Sequence, residues 1–414
     1  MRRVVISGMS GVSALGHNWT DIKKNLAQNN TGIVHMPEWE KIEGMKTSLA
    51  APLAPLELIG RWTRKQIRSM GTVSLYALYA TEQALIDAKL IDNHEMLSSG
   101  KMGIAYGSSF GSTAPLGDFC NLLFENKLKN ITATSYIKLM SHTTAVNVSL
   151  FFGLQGRIIP TSVACASGSL AIGYAYENIK SGAQDIMIAG GAEELCPSMA
   201  AVFDTLYATS TKNKTPELTP RPFDKDRDGL VIGEGAATLI LEEYEHAIKR
   251  GAPIYAEIVG FGTNTDGKHI TQPTAETIKK ALNLALTSAD LKASDIAVIN
   301  GHGTSTEFGD IVESQATHAI FGNETPYHTL KGHFAHTLGA CGSLEAWLGI
   351  EMMREGWLCP IANLAEVDER CAPLNYIKNT PITKNIPYFM SNNFAFGGIN
   401  TSLIFKRTHN FNIT

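Results

Sequence analysis

The chain has no CxxC pair, no zinc-ligand spacing and no excess of positive charge, and it lacks any apolar run of the about 18 residues a membrane helix needs. Each absence removes a class. Six cysteines scattered over 414 residues (Cys120, Cys165, Cys196, Cys341, Cys359, Cys371) form neither a disulfide framework nor a metal knuckle. They read mostly as small buried hydrophobes of a reduced, cytoplasmic protein, with no metal expected. A net charge of −4 leaves nothing to neutralise phosphates, so a nucleic-acid binder is not expected. Charged residues make up 18% against 44% hydrophobic, which argues for a large core and against disorder. In MRRVVISGMSGVSALG the two arginines precede an apolar run, but Gly8 and Gly11 interrupt it. The segment reads as a strand entering a glycine turn, not as a signal peptide.

What is present is a set of short apolar runs: Val4–Ser7, Met102–Tyr106, Asp185–Ala189, Ala237–Leu241, Tyr255–Val259 and Ile296–Ile299. Runs this short and this apolar suit strands buried on both faces. Between them, Ser74–Ala88 and Thr277–Ser288 space apolar residues three and four apart, as helices do. Alternation of the two predicts an α/β architecture. A faint duplication, ACASGSLAIGYAYENIKSG against ACGSLEAWLGIEMMREG, and VVISGMSGVSALG against AEIVGFGTNTDGK, suggests two related halves, 1–253 and 254–414. The polar stretch Ser210–Asp228 reads as a long loop over the surface or near a site.

Four constellations carry chemistry. In Thr161-Ser-Val-Ala-Cys165-Ala-Ser-Gly168, an apolar strand, Arg157–Val163, meets small residues and then the periodic helix Leu170–Ile179. That permits a sharp strand-to-helix turn, where a thiol gains from the helix dipole and nearby amides can hold an oxyanion. A structural cysteine at a tight turn fits equally well. Asn300-Gly-His302-Gly-Thr304-Ser-Thr306 puts a histidine at the C-terminal end of a strand, where open α/β sheets hold ligands. Lys331-Gly-His-Phe-Ala-His336 leads into a helix containing Glu345. There His336, with His333 as competitor, is biased toward the neutral, donating form, and Lys331 and Glu345 read either as an ordering ion pair or as solvated surface charges. Asn392-Asn-Phe394-Ala-Phe396-Gly-Gly398-Ile-Asn400 reads as a mobile aromatic loop or a tight turn, followed by the strand Ser402–Phe405.

In combination and order, Cys165, His302, Lys331–His336 and Phe394–Gly398 resemble the elongating, synthase II-like β-ketoacyl-[acyl carrier protein] synthases. RPFDKDRDGLVIGEGA, EEYEHAIKRGAPIYAEIVGFG and DGKHITQP extend the likeness over essentially the whole chain. The resemblance implies the thiolase fold, an αβαβα sandwich of two similar halves, normally a homodimer, and no cofactor. It implies an acyl-enzyme on Cys165, and His302 and His336 stabilising the enolate of a malonyl-carrier thioester. The backbone amides of Cys165 and Phe396 form the oxyanion hole, with Lys331, Glu345, Glu313 and Asp310 in support. Phe396 is the gate with Ala395 and Asp266, while Phe110, Thr304, Thr306, Phe203, His269 and Thr271 contact substrate. The acidic carrier protein docks on basic residues, for which Arg64, Lys65, Arg68 and Lys129 are candidates.

Three departures stand out: Ala395 and Ala335 where the pattern has glycine, and Phe110 where it has a smaller aliphatic residue. An aromatic wall at Phe110 predicts short or flat unsaturated acyl groups, as in a polyketide or aryl-polyene pathway, and not only housekeeping fatty acids. Two other readings are a thiolase acting on coenzyme A, weakened because Asn393–Asn400 holds no second cysteine, and a subunit of a synthase/chain-length-factor heterodimer.

Overall fold

The computed structural model describes residues 2–408. Ten strands build its centre. The first five are β1 (Val4–Val12), β2 (Met102–Gly107), β3 (Ile158–Pro160), β4 (Ile186–Glu193) and β5 (Gly235–Glu243). The second five are β6 (Ala256–Thr265), β7 (Val298–Asn300), β8 (Pro326–His328), β9 (Tyr388–Ala395) and β10 (Ile399–Lys406). The spatial order is β3-β2-β4-β5-β1 in one block and β8-β7-β9-β10-β6 in the other, so the second repeats the first strand for strand and adds an eleventh, two-residue strand (Asn375–Tyr376) at the edge beyond β8. Directions repeat too. The outer three strands of each block run parallel and the inner pairings are antiparallel. The blocks meet edge to edge where β1 pairs with β6 through Val4–Ile258, Val5–Glu257 and Ile6–Ala256.

Helices supply three further layers. α1 (Thr72–Asp87) and α2 (Thr143–Phe152) cover the first block, and α4 (Ala275–Ala289) and α5 (Glu307–Phe321) cover the second. Between the blocks lie α3 (Ser167–Lys180) and α6 (Cys341–Glu355), packed on each other and on strands of both. The expected αβαβα sandwich of two similar halves is therefore present. Every residue of α6 from Cys341 to Met353 is buried, the condition of a helix with no solvent face. Among the described residues no helix is long and apolar enough to cross a membrane.

Some elements differ from expectation. The run Arg157–Val163 is a strand only over Ile158–Pro160, because the chain leaves the sheet to make the turn before Cys165. Asn392–Ala395 belongs to β9, and the aromatic loop is a tight hairpin turn joining it to β10. Close packing between the halves is severe at Gly173 of α3, where a Cβ would stand 2.2 Å from the Phe261 ring of β6. Gly173→Val is expected to destabilise the protein by about 1–3 kcal/mol through overpacking, read as a lower denaturation midpoint; an unchanged midpoint would contradict this packing.

Candidate active site

Cys165 sits in a one-turn 3₁₀ segment, Ala164–Ala166, that opens directly into α3. Ala164 takes φ 49°, unfavourable for a residue with a β-carbon. Ser167 holds the turn: its hydroxyl donates to the Ala164 carbonyl at 2.7 Å and accepts from the Val163 amide at 3.0 Å. The result is an elbow that lifts the thiol to the floor of a cavity of about 670 Å³. Burial pushes the thiol up to about 12, against the pull of the Lys331 charge and of the backbone amides of Cys165 and Phe396, which face the sulfur. Those amides sit where an oxyanion on a Cys165 adduct needs donors.

His336 Nε2 lies 3.0 Å from the Cys165 sulfur, and the His302 ring stands 5.2 Å from that of His336 at 88°. Burial, then the Lys331 charge, holds both histidines well below their usual range, so both are neutral near pH 7. Their tautomers follow from their neighbours. The Leu338 amide donates to His336 Nδ1 at 3.3 Å, which leaves the proton on Nε2, toward the thiol. Asn393 Nδ2 donates to Glu345 at 2.7 Å and approaches His302 Nδ1 at 3.5 Å. A carboxylate only accepts, so the Asn393 amide nitrogen is the atom that faces Glu345 and His302, and His302 also carries its proton on Nε2. Two neutral N–H groups thus face one spot above the sulfur. Sulfur and the two ring nitrogens lie within 4.8 Å of one another, a spacing that could hold a metal. However, an imidazole bound to metal normally donates from its other nitrogen, and here both accept.

The surrounding polar groups hold these parts in place. Lys331 and Glu345 form an ion pair with both side chains buried, and Asn393 links Glu345 to His302. Two carboxylates on one face of α5 secure the loop after β7. Glu313 accepts from the His302 and Gly303 amides at 2.6 and 2.8 Å and from the Tyr327 hydroxyl at 2.7 Å. Asp310, raised by burial to about 7, accepts from the Ser305 and Phe223 amides at 3.1 and 2.7 Å. Phe223 belongs to the Ser210–Asp228 loop, which lies against the site through Arg227 and Asp228.

Phe396 heads the β9–β10 hairpin and packs on Phe203 at 5.0 Å. Asp266 pins this turn, its amide donating to the Gly398 carbonyl at 2.8 Å and its carboxylate accepting from Asn400 at 2.7 Å. Thr304, Thr306, Phe203, His269, Thr271, Ala395 and Phe396 all line the cavity, and the Thr304 and Thr306 hydroxyls lie 2.9 Å apart. Ala395 is in extended strand, so the restriction that a β-carbon places on positive φ does not apply to it. It does apply to Ala335, which takes φ 64° and ψ −170° immediately before His336.

Several candidates lie elsewhere. Phe110 is 44% exposed and does not line the cavity, so the acyl-length expectation built on it has no support within the single chain. His333 faces the Asn30 and Pro360 carbonyls, away from the sulfur, which leaves His336 as the histidine of that motif. Cys341 donates to the Cys165 carbonyl at 3.2 Å and does not line the cavity. Arg64, Lys65, Arg68 and Lys129 are exposed and apart from the cavity. Two working residues escaped the sequence reading. One is Asn393, although it lay inside a quoted motif. The other is Glu193, fully buried, which ties the Ser109 amide of the first half (2.7 Å) to the Gly339 amide of the second (3.0 Å).

A thiol facing two neutral imidazoles, with no carboxylate in line to make either a strong base, suits carbon–carbon bond formation in which loss of carbon dioxide supplies the carbanion. That is the class of thiolase-fold condensing enzymes, which are acyltransferases. The β-ketoacyl synthase N-terminal domain model matches residues 1–247 and the C-terminal domain model residues 255–365. The chain belongs to the β-ketoacyl synthase family. It is 36% identical to the 3-oxoacyl-[acyl-carrier-protein] synthase 1 of Escherichia coli K12, covering 98% of this chain and 99% of that one. Its fold superposes on a β-ketoacyl synthase from Burkholderia phymatum STM815 with a TM-score of 0.97, at 58% identity over 99% of this chain and 100% of that one. A type II polyketide ketosynthase bound to its acyl carrier protein matches with a TM-score of 0.86, at 27% identity over 98% and 99%.

The neutral state of the histidines is directly testable. In an NMR titration, the His302 and His336 ring signals are expected to stay constant from pH 8 to pH 6, because burial opposes the charged form. An inflection near the ordinary value of 6.5 would overturn the assignment of both as N–H donors.

Proposed function

We propose that the protein extends carrier-bound acyl chains by a ping-pong decarboxylative Claisen condensation, with Cys165 as nucleophile and His302 and His336 as paired donors. The observation that carries this is the Cys165–His336 contact of 3.0 Å at the floor of the cavity, with both histidines neutral. In the first half-reaction the Cys165 sulfur attacks an acyl thioester. The oxyanion is held by the amides of Cys165 and Phe396, and the thiol proton leaves with the departing carrier thiolate. In the second, a malonyl-carrier thioester places its carbonyl between the two Nε2–H groups. As carbon dioxide departs, its bonding pair becomes an enolate stabilised by those donors. The enolate carbon attacks the Cys165 thioester, and the carbon–sulfur bond breaks to release Cys165 as thiolate, which takes a proton from solvent. Lys331, Glu345, Asn393, Glu313 and Asp310 hold this geometry. Phe396 acts as the gate, its turn anchored by Asp266.

Incubation with an acyl-carrier substrate should add one acyl mass to Cys165, and malonyl-carrier should then discharge it as the β-ketoacyl product. Cys165→Ala should show no adduct. His302→Ala and His336→Ala should acylate but lose condensation by at least about 100-fold. Persistence of the adduct in Cys165→Ala would sink the scheme.

The working form we infer is a homodimer. β3 is the outer edge of its block, and the chain between β2 and β3 exposes Phe110, Leu123, Phe124, Leu128, Tyr136 and Leu150. An open strand edge beside so much apolar surface calls for a partner, and a second copy brings a matching edge. Native mass spectrometry is expected to give twice the chain mass. A monomer, or activity only after adding a different synthase-like chain, would favour the chain-length-factor heterodimer.

A further inference from the structure

Glu193 ends β4, fully buried, and its two oxygens are taken up by donors from both halves of the chain. Oε1 accepts from the Ser108 hydroxyl at 2.9 Å, and Oε2 from the Ser109 amide at 2.7 Å and the Gly339 amide at 3.0 Å. Gly339 is the middle residue of a one-turn 3₁₀ segment, Leu338–Ala340, that lies between His336 and α6. In this turn Leu338 takes φ 45°, a conformation unfavourable for a residue with a β-carbon. The turn is seated directly on the end of β4. A Cβ on Gly339 would stand 2.8 Å from the Glu193 carboxylate, and one on Gly191 would meet the Gly339 carbonyl at 2.2 Å.

The turn aims one N–H. On its other side the His336 backbone is fixed, its amide donating to the Val231 carbonyl at 2.9 Å and its carbonyl accepting from the Gly233 amide at 3.0 Å. The Leu338 amide then donates to His336 Nδ1 at 3.3 Å, which leaves Nε2–H toward the Cys165 sulfur. The bond made by one ring nitrogen decides what the other can do.

We propose that Glu193 is a positioning residue for His336: its bond to the Gly339 amide holds Leu338 in the strained turn that points the Leu338 amide at Nδ1. Nε2 then carries the proton that the enolate needs. Glu193 thus does for His336 what Asn393 does for His302. A carboxylate suits the place, because both its oxygens accept, whereas a glutamine there would set its amide group against one of the donors. The kinetic consequence rests on the proposed condensation; the tautomer of His336 does not.

The test uses the full-length enzyme and Glu193→Gln. In ¹⁵N-detected spectra of the histidine rings, the wild-type His336 is expected to carry its proton on Nε2 alone, and the variant to populate the Nδ1–H form as well. Acylation of Cys165 should change by less than about twofold, while discharge of the acyl-enzyme by malonyl-carrier should fall by about tenfold or more. In a His336→Ala background Glu193→Gln should cost no further discharge, since the group it acts through is gone. Glu193→Asp, which keeps the charge but draws the oxygens back by one methylene, is expected to show the same split and serves if Glu193→Gln does not fold. An unchanged His336 tautomer overturns the proposal. So does an equal loss of both half-reactions, or a further loss in the His336→Ala background, either of which would mean that Glu193 acts only through the fold. A wild-type enzyme that forms no acyl adduct would refute the proposed condensation and leave the tautomer result to decide the role of Glu193.

Discussion

The ion pair of Lys331 and Glu345 governs the chemistry of the site. Both side chains are buried, and removing two charges from water costs several kcal/mol per ion before their attraction returns any of it. Such a pair is weak evidence for stability, and its consequences lie elsewhere. Burial is the larger influence on all three groups: the Lys331 ammonium adds to it in keeping His302 and His336 neutral, and opposes it at the Cys165 thiol, which stays raised. Glu345 keeps that ammonium charged in a dry interior, and Asn393 passes the carboxylate's orientation on to His302. Without the pair, both histidines would lose a source of neutrality, and His302 a link in the chain that fixes its tautomer.

The two halves use one topology for unlike ends. In the first, the chain leaves β3 and turns into α3 with the nucleophile at its start; in the second, His336 lies just before α6. Because α3 and α6 are the two helices of the central layer, their N-termini meet between the blocks. Partial positive charge from both helix ends therefore converges on one place. It favours a developing thiolate and disfavours an imidazolium, the same bias that Lys331 imposes. Glu193 joins the two halves near this point, bonding the Ser109 amide behind β2 and the Gly339 amide ahead of α6.

Much of this was legible because it is local. Glycine-bounded apolar runs marked strands β1, β2, β4, β5, β6 and β7, and helical spacing located α1 and α4 to within a few residues. The order of the motifs identified the site's principal side chains. The illegible parts depend on residues far apart in sequence. β9 carries Ser391, Asn392 and Asn393 in its middle, types depleted in strands, and it is a strand because β7 and β10 flank it. Asn393 gains its role only through Glu345, 48 positions away. The expectation for Phe110 rests on the family resemblance alone, and in the single chain its ring stands exposed on an apolar surface.

Backbone strain shows how the fold holds its reactive groups. Ala164 directly precedes Cys165 with φ 49°, Ala335 directly precedes His336 with φ 64°, and Gly303 directly follows His302 with φ 43°. Each conformation costs a residue with a β-carbon of the order of 1–3 kcal/mol, and only the position beside His302 avoids the cost by using glycine. At Ala335 the methyl group is buried with Ile33, Leu49, Ala51 and Val231, contact that offsets part of the strain. Ala164 packs, partly buried, against the cluster that holds Cys165, Met199 and Leu338, and Ser167 bonds its carbonyl and the amide of Val163. A relaxed backbone at either alanine would swing the next side chain away, and neither the 3.0 Å approach of His336 to sulfur nor the elbow under Cys165 would survive it. Strained alanines thus directly precede two of the three reactive side chains, and the third is followed by a glycine that takes the same region of backbone space without that cost.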